Sequence, residues 1–395
     1  MIDDEIYKNS VEETINNGDD SQNEANDGVS GKEMRKYYAA SGWRFAVGIA
    51  AIFAFQIIFQ FIAGLAVGIA DTVFGVYISI PDYISYLLIL FGDTFGMLIL
   101  LLLFRKREKS IPQKRKMKFG WWVLLLLCAY GIVGVGNLIG TTLNGLILWP
   151  FASKVTDINA AAGIFLGSTS WAYIIFGIIV GGILGPILEE LIFRKIFIDN
   201  YSKYGMGAAI LLSGLTFGLF HGNFSQFFYA FGIGILFAYI YSLTGKVKYT
   251  IFLHIGINSI TAVIVTIVNK LMSVDFNIQY REYYSTFIET MDAEAFVQNI
   301  NNLVSAYPIA AIGLIMNAVV TIVLFALYII GFILGIVLLI AKFRKYKKNL
   351  NMGVKGSKTA ATFNWGMIIY IIMTICLFIY YYAMNIIPAI IQWFK

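Results

Sequence analysis

Residues 308–341 read PIAAIGLIMNAVVTIVLFALYIIGFILGIVLLIA, without a single Asp, Glu, Lys or Arg. Such a run exceeds the roughly 18–20 apolar residues that carry an α-helix across a bilayer. The pattern recurs along the chain. Of 395 residues, 59% are hydrophobic and 13% charged, and the mean hydropathy is +0.75. Soluble chains sit near about 45–50% apolar and about 25% charged. A soluble enzyme, a disordered protein and a disulfide-stapled secreted domain are therefore excluded as descriptions of the whole. Cys128 and Cys376 both lie inside apolar runs, so neither a disulfide framework nor a cysteine metal knuckle is on offer. Barrel strands would be about 10 residues long and alternating, which these runs are not. The expected fold is all-α, a polytopic transmembrane helix bundle of about nine spans, with about eight as the alternative count.

The spans are expected at 44–70, 84–104, 119–148, 171–195, 206–222, 226–243, 250–269, 308–341 and 363–392. Basic residues crowd four of the connections: 105–118, Lys195 with Lys203, Lys246 with Lys248, and 342–358. Nine spans with an inside N-terminus put all four on the cytoplasmic side, as the positive-inside rule requires. The basic loop at 105–118 should mainly set topology, with some attraction for anionic lipid. The segment 270–307 then faces outward, and its acids and tyrosines suggest a short amphipathic excursion. Residues 1–30 hold nine of the 23 acidic residues against one lysine, with polar residues between, and read as a disordered tail. They have neither the basic start nor the apolar core of a signal peptide. The expected organisation is a cytoplasmic acidic tail over 1–38 and one membrane domain over 39–395, in the membrane of a bacterial cell. Membrane lipid is an expected partner and nucleic acid is not.

Ionisable groups inside a membrane are costly, so each is a functional candidate. The fourth span carries Gly181-Gly-Ile-Leu-Gly-Pro-Ile-Leu-Glu-Glu-Leu-Ile-Phe-Arg194. Glu189 and Glu190 are adjacent, so they point about 100° apart on a helix. Glu190 can pair with Arg194 at i,i+4. Glu189 is left without that partner and is a candidate general base. Pro186 weakens the helix just before them, and Gly177, Gly181 and Gly185 admit a close neighbour. A bland reading, a helix end among headgroups, fits this segment alone. The only two histidines, His221 and His254, both fall in apolar spans. Phe217 lies one turn before His221, and Asn258 one turn after His254. A lone intramembrane histidine can simply satisfy a carbonyl. Two of them, with an amide and paired carboxylates on successive spans, supply a base, imidazole groups and an amide donor, the parts that activate water and hold an oxyanion.

In this order Glu-Glu-x-x-x-Arg, Phe-x-x-x-His and His-x-x-x-Asn resemble the CAAX prenyl endopeptidases and bacteriocin-processing or immunity proteins, the CPBP or Abi family of intramembrane proteases. The resemblance covers about residues 170–270, and its core positions are complete. It implies that Glu189 activates water with help from His221, that His254 and Asn258 stabilise the oxyanion, and that Glu190, Arg194 and Phe217 support the site. Members have been described both as glutamic peptidases and as metalloproteases. The metal-free form is favoured and no cofactor is required by it. A catalytic zinc of His₂Glu type would use His221, His254 and Glu189 or Glu190.

The expected function is an intramembrane endopeptidase of CAAX-processing type, cutting a membrane-associated protein or peptide from the cytoplasmic side. Its rivals are a non-catalytic bacteriocin-immunity or scaffold protein and, less favoured for want of an internal repeat, a proton-coupled transporter. Asp93, mid-span, is expected to make a hydrogen bond within the bundle, and Asn137, Thr141, Thr142 and Asn144 to join helices. One difficulty stands. With spans four and five as bounded, Glu189 lies about 8 Å deep and His221 about 22 Å at 1.5 Å per residue. Either span five starts further out, continuing a hairpin through Tyr201–Gly207, or it is tilted and breaks at Gly222–Asn223. The first is expected.

Overall fold

The computed structural model describes residues 30–75, 82–105, 116–151, 175, 178–271, 274–351 and 356–393. Most of the acidic tail, the centre of the 105–118 loop and the segment before Ile178 lie outside them. The described residues are almost wholly helical. We number the helices α1 (Gly31–Phe74), α2 (Asp82–Leu103), α3 (Phe119–Leu148), α4 (Ile178 to Tyr201, in four pieces), α5 (Met206–Phe220), α6 (Phe224–Thr244), α7 (Val247–Leu271), α8 (Val274–Thr290), α9 (Ala293–Ala306), α10 (Pro308–Asn351), α11 (Ser357–Thr362) and α12 (Trp365–Trp393). Where their residues are described, the expected spans fall on helices, residues 171–174 and 176–177 of the fourth lying outside them, and the chain forms an all-α polytopic bundle. Among the described residues five helices are long and apolar enough to cross a membrane by length and composition.

Helix α1 begins earlier than the tail boundary at residue 38. Ser30 caps it, its Oγ accepting the Lys32 N–H, and Met34 and Tyr38 are already buried. The hydrophobic effect between helices is weak in lipid, so close backbone approach must hold them. Gly92 and Gly96 of α2 press on the backbone of Gln56 and Ile52 in α1, where a Cβ would collide. Gly131 of α3 meets Gly331 of α10, and Gly42 of α1 meets Gly366 of α12, in the same way. Polar groups add specific ties. Gln56 Nε2 donates to Asp93 Oδ1 at 2.7 Å, the bundle hydrogen bond expected of Asp93. Tyr382 donates to Asn144 Oδ1 at 2.7 Å, joining α12 to α3. Thr141 instead bonds back to the Asn137 carbonyl within its own helix.

The core gathers on the second half of α4. Phe193, Phe197 and Tyr201 are fully buried and pack against Phe45 and Tyr38 of α1. This helix runs on to Tyr201 rather than ending near residue 195. Lys195 does not end the helix. Its Nζ reaches Asp199 Oδ2 at 2.5 Å and Tyr241 OH at 3.2 Å, and Tyr241 donates to Asp199 Oδ1 at 2.7 Å. A satisfied cluster of this kind lets the helix continue through a lysine.

The expected outer excursion at 270–307 is the antiparallel pair α8 and α9, turned at Met291 (φ 55) and capped by Asp292 Oδ1, which accepts the Ala295 N–H at 3.0 Å. The chain order α5, α6, α7 brings the α4–α5 turn and the α6–α7 turn to one end of the bundle. Met117 N donates to Tyr249 OH at 3.1 Å and so adds the start of α3 to that end. Lys116, Lys118, Lys203, Lys246 and Lys248 therefore gather on one side, opposite α8 and α9. In a background lacking Cys128 and Cys376, an impermeant maleimide should label Glu294→Cys on intact cells and Lys248→Cys only after permeabilisation. Labelling of both from outside would show that this end-to-end separation is not a separation across the membrane.

Candidate active site

Helix α4 is irregular where the chemistry lies. A π-helical stretch, Ile178–Leu184, precedes the α-helical piece Gly185–Glu190, and a second, Leu191–Ile196, follows. Proline accounts for the first. In α-helical register the Gly182 carbonyl would accept from residue 186, and in π register the Gly181 carbonyl would, but Pro186 has no N–H. Helix α7 supplies the substitutes. Ser259 Oγ donates to the Gly182 carbonyl at 2.9 Å, and Asn258 Nδ2 to the Gly181 carbonyl at 3.3 Å. The close approach is made at Gly182, where an added Cβ would lie 2.8 Å from Ser259 Oγ.

The two adjacent carboxylates have different surroundings. Glu190 and Arg194 are both without solvent exposure, with Nε 3.1 Å from Oε2. That contact is a charge contact and is poorly aligned as a hydrogen bond. The rest of the guanidinium lies over the rings of Phe217 and Phe237, 4.4 and 5.4 Å from their centroids. The other Glu190 oxygen accepts from His254 Nδ1 at 3.0 Å. A carboxylate can only accept, so His254 carries its proton on Nδ1. The opposite ring nitrogen, Nε2, lies 3.6 Å from Glu189 Oε2, too far for a direct hydrogen bond and close enough to share a water or a substrate proton. Glu189 is the exposed member, with 25% of its side chain open against 4% for His254.

His221 closes α5. Its Nδ1 lies 2.9 Å from the Phe217 carbonyl and must donate to it, which leaves Nε2 as an acceptor. The helix stops there because Gly222 takes φ 68 and Asn223 begins α6. Asn223 Nδ2 donates to the His221 carbonyl at 2.9 Å while its Oδ1 caps the Gln226 N–H, so the break is held from both sides. Phe217 meets both imidazoles edge to face, at 4.9 Å for His221 and 5.8 Å for His254. His221 also lies within electrostatic reach of Glu189, as does Asp93.

The expected depth mismatch has its answer here. Glu189 sits twelve residues before the end of α4 at Tyr201, about 18 Å along the helix, against about 22 Å for His221 in α5. Helix α4 runs on to Tyr201 and the chain turns back at 202–205 into α5 at Met206, so the hairpin extends past the limit set for span four and brings the two depths within about 4 Å. Glu189, Glu190, Arg194, Phe217, His221 and His254 thus share one site. Asn258 lies one turn beyond His254 with its amide engaged by Gly181. Sequence reasoning missed Ser259, Phe237 and the bond from His254 to Glu190. His254 Nδ1 and His221 Nδ1 are engaged by Glu190 and by the Phe217 carbonyl, so Nε2 is the nitrogen of each ring that remains for a proton, a water or a metal ion. Among the described residues no group of three or more His, Cys, Asp or Glu side chains is placed to hold a metal ion.

Comparison with known proteins falls on this part of the chain. Residues 170–260 match the family model described as type II CAAX prenyl endopeptidase Rce1-like. The core resembles a CAAX-type membrane peptidase. Over 87 residues the chain is 37% identical to the "Putative membrane peptidase YdiL" of Bacillus subtilis (strain 168). That match covers 22% of this chain and 36% of the relative, so the chain spans about a third of the relative's length. No solved structure matches the chain. The matched stretch runs from α4 into α7, the part that carries the site residues above.

Removing one partner of a buried ion pair costs about 3–5 kcal/mol, because the other charge is stranded. Glu190→Gln should therefore lower the melting temperature of the purified protein by many degrees, whereas Glu189→Gln, at the open edge, should shift it little. Equal and small shifts for the two variants would contradict the division of roles between the adjacent carboxylates.

Proposed function

We propose that this protein is an intramembrane endopeptidase in which Glu189 activates water, without a metal, to hydrolyse a peptide bond of a membrane-associated protein or peptide. The observation that carries the reading is the pairing of a partly exposed carboxylate, Glu189, with an imidazole nitrogen at 3.6 Å whose ring is fixed from behind by a buried one, Glu190. That is the arrangement of a general base with an oriented partner.

The steps follow from the atoms present. A water between Glu189 and His254 gives a proton to the Glu189 carboxylate, and His221 Nε2 accepts its second hydrogen and so orients it. The water oxygen bonds to the scissile carbonyl carbon, and the carbonyl π electrons move onto its oxygen. The proton on Glu189 can pass to His254 Nε2, since Glu190 stabilises the resulting imidazolium. His254 Nε2–H and the Asn258 amide then donate to the oxyanion. For Asn258 this means exchanging a long bond of 3.3 Å to the Gly181 carbonyl for a charge-assisted one. The C–N bond breaks as its nitrogen takes the proton, leaving an acid and an amine. Access from the lysine-rich end, taken as cytoplasmic, follows from the positive-inside rule. A lipid-modified CAAX protein and a bacterial peptide precursor both fit a membrane-level site of this kind.

Purified protein incubated with a membrane-peptide library tests the reading. Glu189→Gln keeps the shape but cannot take the water's proton, and should lose at least about 100-fold in cleavage while staying folded. Asn258→Ala should lose about 10²–10³-fold. Prolonged chelation should leave the wild-type rate unchanged, whereas loss of activity restored by zinc would favour the zinc form. Full activity in Glu189→Gln would remove this residue as the base, and no cleavage by the wild type would move the reading to an immunity or scaffold role.

A further inference from the structure

An apolar cavity lies on the far side of α6 from the candidate active site. It has a volume of about 350 Å³, at the lower end of ligand-sized pockets, and sits between α3, α5, α6 and α10. Glu189, His221, His254 and Asn258 do not line it. The two faces of α6 are distinct. Ile235, Leu236 and Tyr239 face the cavity, while Phe237 faces Arg194 and His254.

Three features define what fits. The walls are apolar along the length of the cavity, with Cys128, Ile132 and Phe332 typical of them. The space exists because Gly335 contributes no side chain, and a Cβ there would meet nothing within 4 Å. One end carries Lys116 and Met117. The hydrogen bond from Met117 N to Tyr249 OH holds this end beside the start of α7, where Lys246 and Lys248 lie. A partly open apolar cavity with Lys116 at one end and Lys246 and Lys248 nearby matches an acyl chain joined to an anionic headgroup.

We propose that this cavity is a binding site for one anionic phospholipid, with an acyl chain between α3, α6 and α10 and its phosphate at Lys116 and Lys248. The bound chain packs on the back of α6 and so supports the helix that holds Phe237 against His254. The site is independent of the catalytic reading, because none of its residues takes part in the proposed hydrolysis.

The test uses full-length, delipidated protein in detergent, titrated with phosphatidylglycerol, with phosphatidylcholine of the same acyl chains, and with oleate. Native mass spectrometry counts the bound lipid. The modification rate of Cys128 by N-ethylmaleimide, in a Cys376→Ser background, reports whether the cavity itself is filled. The expected result is one phosphatidylglycerol bound about tenfold more tightly than phosphatidylcholine, the scale of a few lysines near an anionic surface, with protection of Cys128. Gly335→Leu, which fills the cavity and favours the helix, should abolish the adduct and the lipid-dependent protection. Lys116→Glu with Lys248→Glu should erase the preference between headgroups. Equal binding of the two phospholipids, binding of oleate alone, or an adduct that persists in Gly335→Leu would each overturn the proposal.

Discussion

Glu190 and Arg194 face each other inside the bundle with no solvent on either side chain, and the rest of the site is arranged around that pair. Two charges without water are tolerated only if they meet each other and further partners. Arg194 has Glu190 on one side and the rings of Phe217 and Phe237 on others. A desolvated cation over an aromatic face gains about 2 kcal/mol or more, so these rings are part of the charge balance. Glu190 spends its second oxygen on His254. The pair therefore does more than hold a helix. It fixes the tautomer and the direction of an imidazole whose free nitrogen then faces Glu189.

A backbone constraint sets the distance between the two helices that carry these groups. Pro186 takes one N–H out of α4, the one that the Gly182 carbonyl would use in α register or the Gly181 carbonyl in π register, and buried carbonyls need a donor. Ser259 and Asn258 of α7 meet that need, and Gly182 leaves the room. His254 lies one turn before Asn258 on the same helix, so the bonds that repair the proline gap also place the imidazole between the carboxylates. The π-helical stretch before Gly185 is the visible consequence, and such turns recur at functional sites.

Much of this was legible in the sequence because membrane helices obey a length rule and an exclusion rule. Uncharged runs of about 20 residues marked the helices. The rarity of histidine and paired acids within them marked Glu189, His221 and His254. What could not be read depended on pairing across the chain. The His254–Glu190 bond was missed because two adjacent carboxylates point about 100° apart, and only a ring with nitrogens on opposite edges serves both. The missing N–H of Pro186 was visible, but its substitutes lie far away in sequence on α7. Lys195 misled the estimate of where α4 ends. A lysine after an apolar run reads as a helix end, yet here Asp199 pairs with it, Tyr241 accepts from it, and α4 continues for another turn and a half. Phe237 carried no signal that separates it from any other apolar residue.

The chain has two histidines, so their rings can be observed without interference from others. The most direct test of the account is nitrogen-15 NMR of histidine-labelled protein in lipid at neutral pH, with His221→Gln used to assign the signals. The hydrogen bonds from His254 to Glu190 and from His221 to the Phe217 carbonyl require a proton on Nδ1 of both rings. The account predicts Nδ1-protonated imidazoles, with Glu190→Gln altering the His254 signal and leaving that of His221 in place. A His254 ring protonated on Nε2 alone would contradict it, because Glu190 would then not be what orients the imidazole toward Glu189.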